Sequence, residues 1–321
     1  MSERGPASAG TGARGDVRLG GVLGAGAASA LLFSLVALVP ALAPLSIVSP
    51  LPLAVQRLHG GTASAWLSIA LASALVAAAI GPGAGLSFLL ALALPALLLG
   101  ESLARGRGLL RGCAWAFALL TVEVSIALVF AGDAIARRSI EPFEQLRSEA
   151  FLSELKASGV AADRVSEFAE QATELRDLMA VVFPAAWVIG AAVLVLVNAA
   201  LMRLYLLRRD PGWLEDGEFE RIRFPLGLVF VFVVTGASVA LPVARPTAYN
   251  ALLVIAFFFA LQGLAVVGFY ARRLAAPPLL RGALLVLVLA NPWAPQILAL
   301  LGLFDNWFDF RRWAEPPSDK V

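Results

Sequence analysis

The sequence predicts an all-α fold, a polytopic bundle of about eight or nine transmembrane helices. Of its 321 residues, 60% are hydrophobic and 15% are charged, and the mean hydropathy is +0.82. Soluble domains carry about 25% charged residues, so the chain is too apolar for that class. Apolar runs of roughly 20 residues recur along most of the length, and each can cross a hydrocarbon core of about 30 Å as a helix.

The apolar runs follow an N-terminal tail and fall into two groups. Residues 1–18 are rich in Gly, Ala and Ser, and we expect a disordered cytoplasmic tail because they have little to bury. A first transmembrane group covers residues 19–131 and a second covers 179–305, with the polar segment 132–178 between them. The candidate spans are roughly 20–40, 41–56, 62–81, 84–101, 109–131, 179–203, 225–243, 248–270 and 282–304.

The second candidate span, 41–56, is interrupted by proline. Pro40, Pro44, Pro50 and Pro52 lie in or beside it, and each proline removes a backbone donor from a helix. Non-helical backbone at membrane depth is tolerated only where protein or a water-filled cavity covers it. We therefore expect a broken or re-entrant element inside the bundle; the alternative is a full span.

Arginines predict which loops face the cytoplasm, because short cytoplasmic loops collect Lys and Arg. Here they follow every second span, whereas the intervening loops hold none at residues 81–85 and only Arg245 before the eighth span. This alternation places the N-terminus inside and predicts a multi-pass protein of the bacterial cytoplasmic (inner) membrane. The arginines that set the orientation are Arg57, Arg105, Arg107, Arg111, Arg203, Arg208, Arg209, Arg221, Arg223, Arg272, Arg273 and Arg281.

The polar segment 132–178 is predicted to be an extracytoplasmic amphipathic helical hairpin. It holds ten acidic and six basic residues, and the alternation of loops places it outside. Ser139 can cap a first helix that ends near Gly159. The second helix carries an apolar stripe that leads into the sixth span. Its members repeat at three-and-four spacing: Val165, Phe168, Ala172, Leu175 and Met179. The hairpin either lies over the bundle or docks a partner.

The last candidate span is interrupted by the stretch LANPWAPQ, in which Pro292 and Pro295 disturb the helical hydrogen bonds. A single kinked crossing ends outside and leaves Arg311 and Arg312 against the charge rule, whereas two half-helices return the chain to the cytoplasm. We favour the single crossing, because each half is short for independent insertion. Residues 306–321 then form an interfacial tail whose aromatic rings suit the headgroup layer.

The sequence offers few residues for catalysis. The single cysteine, Cys113, excludes an internal disulfide, and the single histidine, His59, excludes most metal and nucleophile–base arrangements. The glycine-rich stretch at residues 81–85 lacks the lysine and the serine or threonine of a phosphate-binding loop. We therefore predict no enzymatic activity, and neither a metal nor another cofactor.

Four polar residues within apolar runs form the candidate solute-binding site. A carboxylate within the membrane marks by default a substrate, ion or proton pathway, although it can equally pair with an arginine. Amides in such helices commonly form hydrogen bonds between helices, and they can also face a shared cavity. The candidate residues are Glu123, Asn198, Gln262 and Asn291.

Several stretches resemble the YybS-like family of bacterial multi-pass membrane proteins, a domain of unknown function. They read SPLPLAVQRLHGG, LMAVVFPAAWVIGAAVLVLVN, FALQGLAVVGFYARR and LLGLFDNWFDFRR. This resemblance covers most of the chain and implies a helical membrane protein without an assigned activity. Its most distinctive residues are the Gln262–Gly263 pair and the pattern of Gly302, Asp305, Trp307 and Arg311.

The chain is also distantly similar to the substrate-binding subunits of energy-coupling-factor vitamin transporters. Those subunits capture a small molecule in a helical bundle and rely on separate ATPase and transmembrane subunits. The resemblance implies a small-molecule ligand and such partners, which fits a sequence without a nucleotide-binding motif. The polar hairpin is additional to that pattern, and those subunits have fewer spans.

Two functional hypotheses follow. The first is a protein that binds a small solute within its helix bundle as the substrate-binding subunit of a transporter. The second is a non-transporting membrane scaffold or assembly factor that acts through the outer hairpin or the cytoplasmic loops. The lipid bilayer is a partner in both cases, and a net charge of +2 gives no basic surface of the size that nucleic acid requires.

Overall fold

The computed structural model describes residues 19–275, 277, 291 and 293–312. The predicted N-terminal tail, Arg281, residues 282–290 and 292 of the last candidate span, and residues 313–321 of the C-terminal tail lie outside these residues. Every regular element in the described part is a helix. The all-α class is therefore confirmed.

The helices follow the apolar runs, and proline often opens them. It stands in the first turn of six of the described α-helices, where its missing N–H has no partner within the helix. The described α-helices are α1 Leu19–Leu38, α2 Ala43–Val48, α3 Leu51–Ala79, α4 Pro82–Phe88, α5 Leu94–Ala104, α6 Leu109–Leu146, α7 Glu149–Ala157, α8 Ala162–Arg209, α9 Leu226–Ser238, α10 Arg245–Arg273 and α11 Ala294–Phe308.

Six helical segments of the described residues are long and apolar enough to cross a membrane, which supports a multi-pass membrane protein. The helix α9 is apolar but has only 13 residues. Fewer spans than the predicted eight or nine therefore meet this criterion. The six segments are Leu19–Ala37, Leu45–Ala79, Pro82–Ala104, Leu109–Ala157, Ala162–Arg209 and Arg245–Arg273.

The proline-rich second candidate span is a broken element. A 3-10 turn at Pro40–Leu42 and the six-residue α2 precede a break at Ser49 and Pro50, after which α3 begins. Within α3, Gly61 has φ 78° and ψ 178°, a conformation that suits only glycine. This glycine separates residues 51–60 from 62–79, at the boundary that the sequence predicts between the second and third spans.

Contacts divide the chain into two units, and the first comprises residues 1–119 and 194–214. Its core is apolar and includes Leu53, Ile69 and Phe88, each at most 1% exposed. The ring of Phe88 packs against that of Phe33 with centroids 5.2 Å apart. Such close-packed apolar contacts are what holds neighbouring helices together in a membrane, since lipid tails are as apolar as the side chains.

The second unit comprises residues 120–193 and 215–321, and it contains the polar segment. Here α6 continues as far as Leu146, with one distorted residue at Ala131 (φ −136°, ψ 21°). The predicted cap at Ser139 is therefore wrong, because this residue lies inside α6 and its hydroxyl donates to the carbonyl of Ile135. A serine inside a helix commonly bonds back to the preceding turn.

The stretch predicted as one helix from Ser139 to Gly159 is divided in the structure, because α6 ends at Leu146 and α7 begins at Glu149. Ser148 caps α7, since its hydroxyl accepts from the amide of Phe151. Gly159, with φ 88°, follows the end of α7, as expected for a glycine that terminates a helix. The helix α8 then runs without interruption from the polar segment into the sixth span, and the rings of Phe151 and Phe168 lie 5.9 Å apart.

The last helix, α11, is parallel to α10, and this corrects the favoured single crossing. Leu298 contacts Gly263, in the second half of α10, and the hydroxyl of Tyr270 donates to the carbonyl of Phe310, just beyond α11. The 15 residues of α11 extend about 22 Å at 1.5 Å per residue, short of a full crossing. The chain therefore returns to the side on which α10 ends, as in the alternative with half-helices.

Candidate functional site

Two glycines allow α10 and α11 to pack backbone against backbone. A Cβ added at Gly263 would lie 2.0 Å from the carbonyl oxygen of Leu298, and one added at Gly302 would lie 1.9 Å from that of Phe259. Real Cβ atoms do not approach an oxygen within 3.0 Å. Small residues at such a crossing let two helices approach closely in a membrane. The close packing at Gly263 and Gly302 therefore positions the end of α11 against α10.

A buried carboxylate lies one turn beyond this crossing. Asp305 is 0% exposed, and its Oδ2 accepts from Nε2 of Gln262 at 3.0 Å and pairs with Arg311 at 3.4 Å. The Oδ1 of Asp305 accepts from the amide of Phe310 at 3.2 Å. Because a buried charge is costly unless it is paired and hydrogen-bonded, these three partners offset the cost of burying Asp305.

The same network reaches the segment before α9. The Oε1 of Gln262 accepts from the amide of Phe224 at 2.9 Å, and the guanidinium of Arg311 donates to the carbonyl of Ile222 at 2.8 Å. Gln262 is 0% exposed, so both ends of its amide bond to protein. The network therefore ties three parts of the chain together: residues 222–224, α10 and the end of α11.

A cleft of about 720 Å³, lined mainly by arginine, lies beside this network and shares Arg311 with it. We call it the arginine cleft. Phe269 and Gly217 form part of its wall, and a volume of this size falls within the range of small-molecule sites, about 300–1,000 Å³. The arginines come from the loop before α9, the end of α10 and the segment after α11. They are Arg221, Arg223, Arg272, Arg273, Arg311 and Arg312.

Four of these arginines have a carboxylate partner. Arg223 pairs with Asp309 at 2.7 Å and Arg272 with Glu220 at 3.6 Å, and both acids line the cleft. Arg311 pairs with the buried Asp305 and Arg221 pairs with Glu215 at 3.7 Å, and these two acids lie outside the lining.

The other two arginines, Arg273 and Arg312, are exposed and form no ion pair with any described residue. The loop that contributes Arg221 also carries Asp216 and Glu218, which do not line the cleft. The lining itself therefore has an excess of positive charge, and its two unpaired guanidinium groups can donate to an anion.

Arg311 has both a structural partner and further capacity to donate. Burial, together with the nearby Arg223, lowers the pKa of Arg311, while Asp305 and Asp309 oppose this shift. A guanidinium nevertheless stays charged at any physiological pH. Its Nε–H is buried and has no acceptor among the described residues. An anion in the cleft would reduce the cost of holding this charge away from water.

The four predicted solute-binding residues are not joined to one another in the described structure. Gln262 supports the floor of the arginine cleft through its bonds to Asp305 and Phe224. Glu123 is half-buried on α6, and no hydrogen bond or ion pair to a described residue connects it with Gln262 or Asn291. Asn291 is exposed, and its Oδ1 accepts from the amide of Trp293.

Asn198, the fourth predicted residue, belongs to the first unit. Its side-chain Nδ2 donates to the carbonyl of Leu194 within α8, and its buried Oδ1 accepts no hydrogen bond from a described residue. None of the four residues lines the arginine cleft. The predicted convergence on one cavity remains a prediction.

The first unit contains a separate ionic cluster. Glu101 pairs with Arg57 and with Arg105, and the side chains of Arg57 and Glu101 are both less than one-fifth exposed. His59 lies 3.5 Å from a carboxylate oxygen of Asp210. Every guanidinium of this cluster has a carboxylate partner, so the cluster serves to join α3 to α5 rather than to attract a ligand.

Sequence reasoning used Arg221, Arg223, Arg272 and Arg273 only to orient the loops, and it did not assign Arg311 or Arg312 to a binding site. Their meeting depends on contacts between residues such as Arg311 and Ile222, which lie 89 positions apart in the chain. A usable signal was present, however. Three segments, two predicted on the cytoplasmic side around Arg221 and Arg272 and a third around Arg311, each carry a pair of nearby arginines.

Fold and site together define a multi-pass helical membrane protein with an arginine-lined cleft at one end of its helices. The family model described as "Predicted membrane protein (DUF2232)" matches residues 27–306. The chain therefore belongs to this family, as the resemblance in its sequence implies. No curated protein and no solved structure matches it.

Proposed function

We propose that this protein is a non-catalytic membrane receptor for an anionic ligand, which binds in the arginine cleft. The charge rule favours the cytoplasmic side of a bacterial inner membrane for the cleft, because four of its six arginines, Arg221, Arg223, Arg272 and Arg273, belong to loops predicted there. The proposal narrows the hypothesis of a solute-binding membrane protein. It replaces a polar site at membrane depth by a basic site at the end of α10 and α11.

The observation that carries the proposal is the imbalance of charge in the cleft. Six arginines line it, and Arg273 and Arg312 lack a carboxylate partner among the described residues. Guanidinium groups prefer planar acceptors that take two parallel hydrogen bonds, such as carboxylate and phosphate. The buried Asp305 and Gln262 hold the floor and Arg311 in place, so an anion would meet a floor that is formed before binding.

A role as the substrate-binding subunit of a transporter extends this proposal. Such a subunit would deliver its anion to separate ATPase and transmembrane partners, since no nucleotide-binding motif is present in this sequence. Purification of the tagged protein from its native membrane tests this extension. Co-purification of an ATPase subunit supports it, and recovery of the protein without one, under conditions that preserve a known transporter complex, contradicts it.

Anion binding is tested with the full-length protein purified in detergent. Inorganic phosphate, pyrophosphate and citrate serve as probes, and affinity is measured by isothermal titration calorimetry at low ionic strength. The variant removes the two unpaired arginines, Arg273→Gln with Arg312→Gln. A matched control, Arg208→Gln with Arg209→Gln, removes the same charge from two exposed arginines at the end of α8.

We expect at least one probe to bind the native protein and the control equally well, and to bind the cleft variant about tenfold more weakly. A tenfold loss corresponds to about 1.4 kcal/mol, modest for two charge-assisted hydrogen bonds that water partly screens. Equal affinities in the cleft variant and the control would show that the attraction is non-specific. Failure of all three probes to bind would contradict the proposal.

The scaffold hypothesis remains a second candidate, and the exposure of α7 favours it. No residue of this helix is buried, so its surface is available to another protein. Deletion of residues 149–157 from the tagged protein should then abolish recovery of one specific partner, whereas an anion receptor would keep its affinity for the probe. Recovery of the same partners from both forms would reject the scaffold role for α7.

A further inference from the structure

We infer that the ligand of the arginine cleft is a phosphate monoester at the end of an apolar chain, bound with its phosphate in the cleft and its chain along α11. The inference rests on the proposed function, since it specifies the anion that the cleft takes. It follows from the charge of the cleft and from the apolar surface beside it.

The charge of the cleft matches a phosphate monoester better than an anion of single charge. A phosphate monoester carries about −1.5 to −2 charges near pH 7 and offers three oxygens that accept strong hydrogen bonds. Of the six arginines that line the cleft, Arg273 and Arg312 are the two without an ionic partner among the described residues. The Nε–H of Arg311 adds a donor that no described residue satisfies. One dianion can offset the charge of this pair.

The position of the cleft along α11 places it at the membrane surface. Phe304, Trp307 and Phe308 occupy the last turns of this helix, and each is between 44% and 54% exposed. Exposed aromatic rings at the end of a membrane helix are typical of the headgroup layer. Asp309, which follows these rings directly, lines the cleft. Apolar ring surface and arginine side chains therefore adjoin each other at the depth where a lipid carries its phosphate.

The size of the cleft indicates which part of such a molecule it holds. Its volume of about 720 Å³ is that of a small-molecule site, and Phe269 is the one aromatic side chain in its described lining. A headgroup and the first carbons of a chain fit this space. The remainder of the chain would leave the cleft along Trp307 and Phe308, where it gains apolar contact in place of neighbouring lipid.

The test separates an amphiphile from a free phosphate with the full-length protein in detergent. Dioctanoyl phosphatidic acid carries both phosphate and chains, glycerol 3-phosphate carries the phosphate alone, and dioctanoyl phosphatidylcholine carries the chains with a zwitterionic headgroup. Affinities are measured for the native protein and the Arg273→Gln/Arg312→Gln variant. They are also measured for Trp307→Gln, and for Trp115→Gln as an exposed tryptophan outside the second unit.

We expect phosphatidic acid to bind the native protein at least tenfold more tightly than glycerol 3-phosphate or phosphatidylcholine. The double arginine variant should lose about tenfold in affinity for both phosphate compounds. Trp307→Gln should weaken the binding of phosphatidic acid threefold or more and leave glycerol 3-phosphate unchanged, while Trp115→Gln changes neither.

Three results would overturn the inference. Equal affinities for glycerol 3-phosphate and phosphatidic acid would mean that the chain contributes nothing, although the anion site of the proposed function would stand. Equal affinities for phosphatidylcholine and phosphatidic acid would mean that the phosphate monoester is not recognised. No binding of any phosphate compound would remove both this inference and the proposed function.

Discussion

Replacement of Gly302 by alanine should separate α10 from α11 and destabilise the second unit. The added Cβ would lie 1.9 Å from the carbonyl oxygen of Phe259 and 2.7 Å from the amide nitrogen of Gly263. Both neighbours are backbone atoms of α10, so no side chain can rotate away to make room. The only response is movement of one helix against the other.

The distances set the size of the effect. To reach 3.0 Å the Cβ must retreat by at least 1.1 Å from Phe259. The hydrogen bond between Gln262 and Asp305, now 3.0 Å, would lengthen to about 4 Å and cease to be one. Overpacking costs about 1–3 kcal/mol and loss of a bond to a charged group about 1.5–3 kcal/mol. We expect a loss of about 3–5 kcal/mol in the free energy of unfolding.

The assay is equilibrium unfolding of the purified protein in mixed micelles, followed by far-ultraviolet circular dichroism. Gly190→Ala in α8 is the matched control, because nothing lies within 4 Å of its added Cβ. Alanine there should raise stability slightly, by about 0.5–1 kcal/mol, through its better helix propensity. If Gly302→Ala and Gly190→Ala unfold at the same detergent fraction, the close packing of the two helices does not exist.

Two further predictions concern topology and the first unit. In a background without the native cysteine, Arg273→Cys and Arg312→Cys should react with a membrane-impermeant maleimide from the same side of the membrane. Val243→Cys, which replaces a 96% exposed residue before α10, should react from the other side. If Arg312→Cys reacts from the same side as Val243→Cys, the single crossing is correct. Glu101→Gln should lower the free energy of unfolding by about 1–3 kcal/mol, because it leaves the mostly buried Arg57 without its carboxylate. The control Glu167→Gln, which alters an exposed ion pair, should change it by less than about 0.5 kcal/mol. Equal shifts in melting temperature for these two variants would contradict the structural role of Glu101.

The fold could be predicted from the sequence wherever a local property decides it. Apolar runs give the helices, since a chain in lipid must satisfy its backbone internally. Prolines around residues 40–52 give the break before α3, and Gly61 gives the interruption inside it. The predicted cap at Ser139 was wrong because a serine can either cap a helix or donate to the preceding turn inside one. Only the continuity of α6 decides between these two roles.

The last helix could not be predicted, because its orientation depends on contacts across the chain. The insertion argument counted apolar length and favoured one crossing. The decisive feature is the match between Gly263 and Gly302, which gives α11 a packing partner that compensates for its short length. The arginines beyond α11 agree with the charge rule once the helix returns. The rule was therefore the better guide.

The candidate site was accessible to sequence reasoning only in part. Gln262 was selected for its polarity in an apolar run. It does not line the cleft, but its side-chain amide donates to Asp305, which pairs with Arg311 of the cleft. The distinctive pairing of Gln262–Gly263 with Gly302 and Asp305 in the family resemblance has a physical explanation, because these four residues meet at one helix crossing. Polarity alone does not distinguish a residue that supports a site from one that binds a ligand.

Orientation of the chain in the membrane does not by itself explain the arginine cleft. The charge rule depends on how many Lys and Arg residues a short loop carries, and it is satisfied equally well by arginines that point apart into water. In this structure the arginines of three separate segments converge on one space, although like charges repel at short range. Four carboxylates offset part of that repulsion and leave Arg273 and Arg312 uncompensated. A dianion in the cleft would offset this repulsion, and this is the physical reason why we propose the cleft as a binding site.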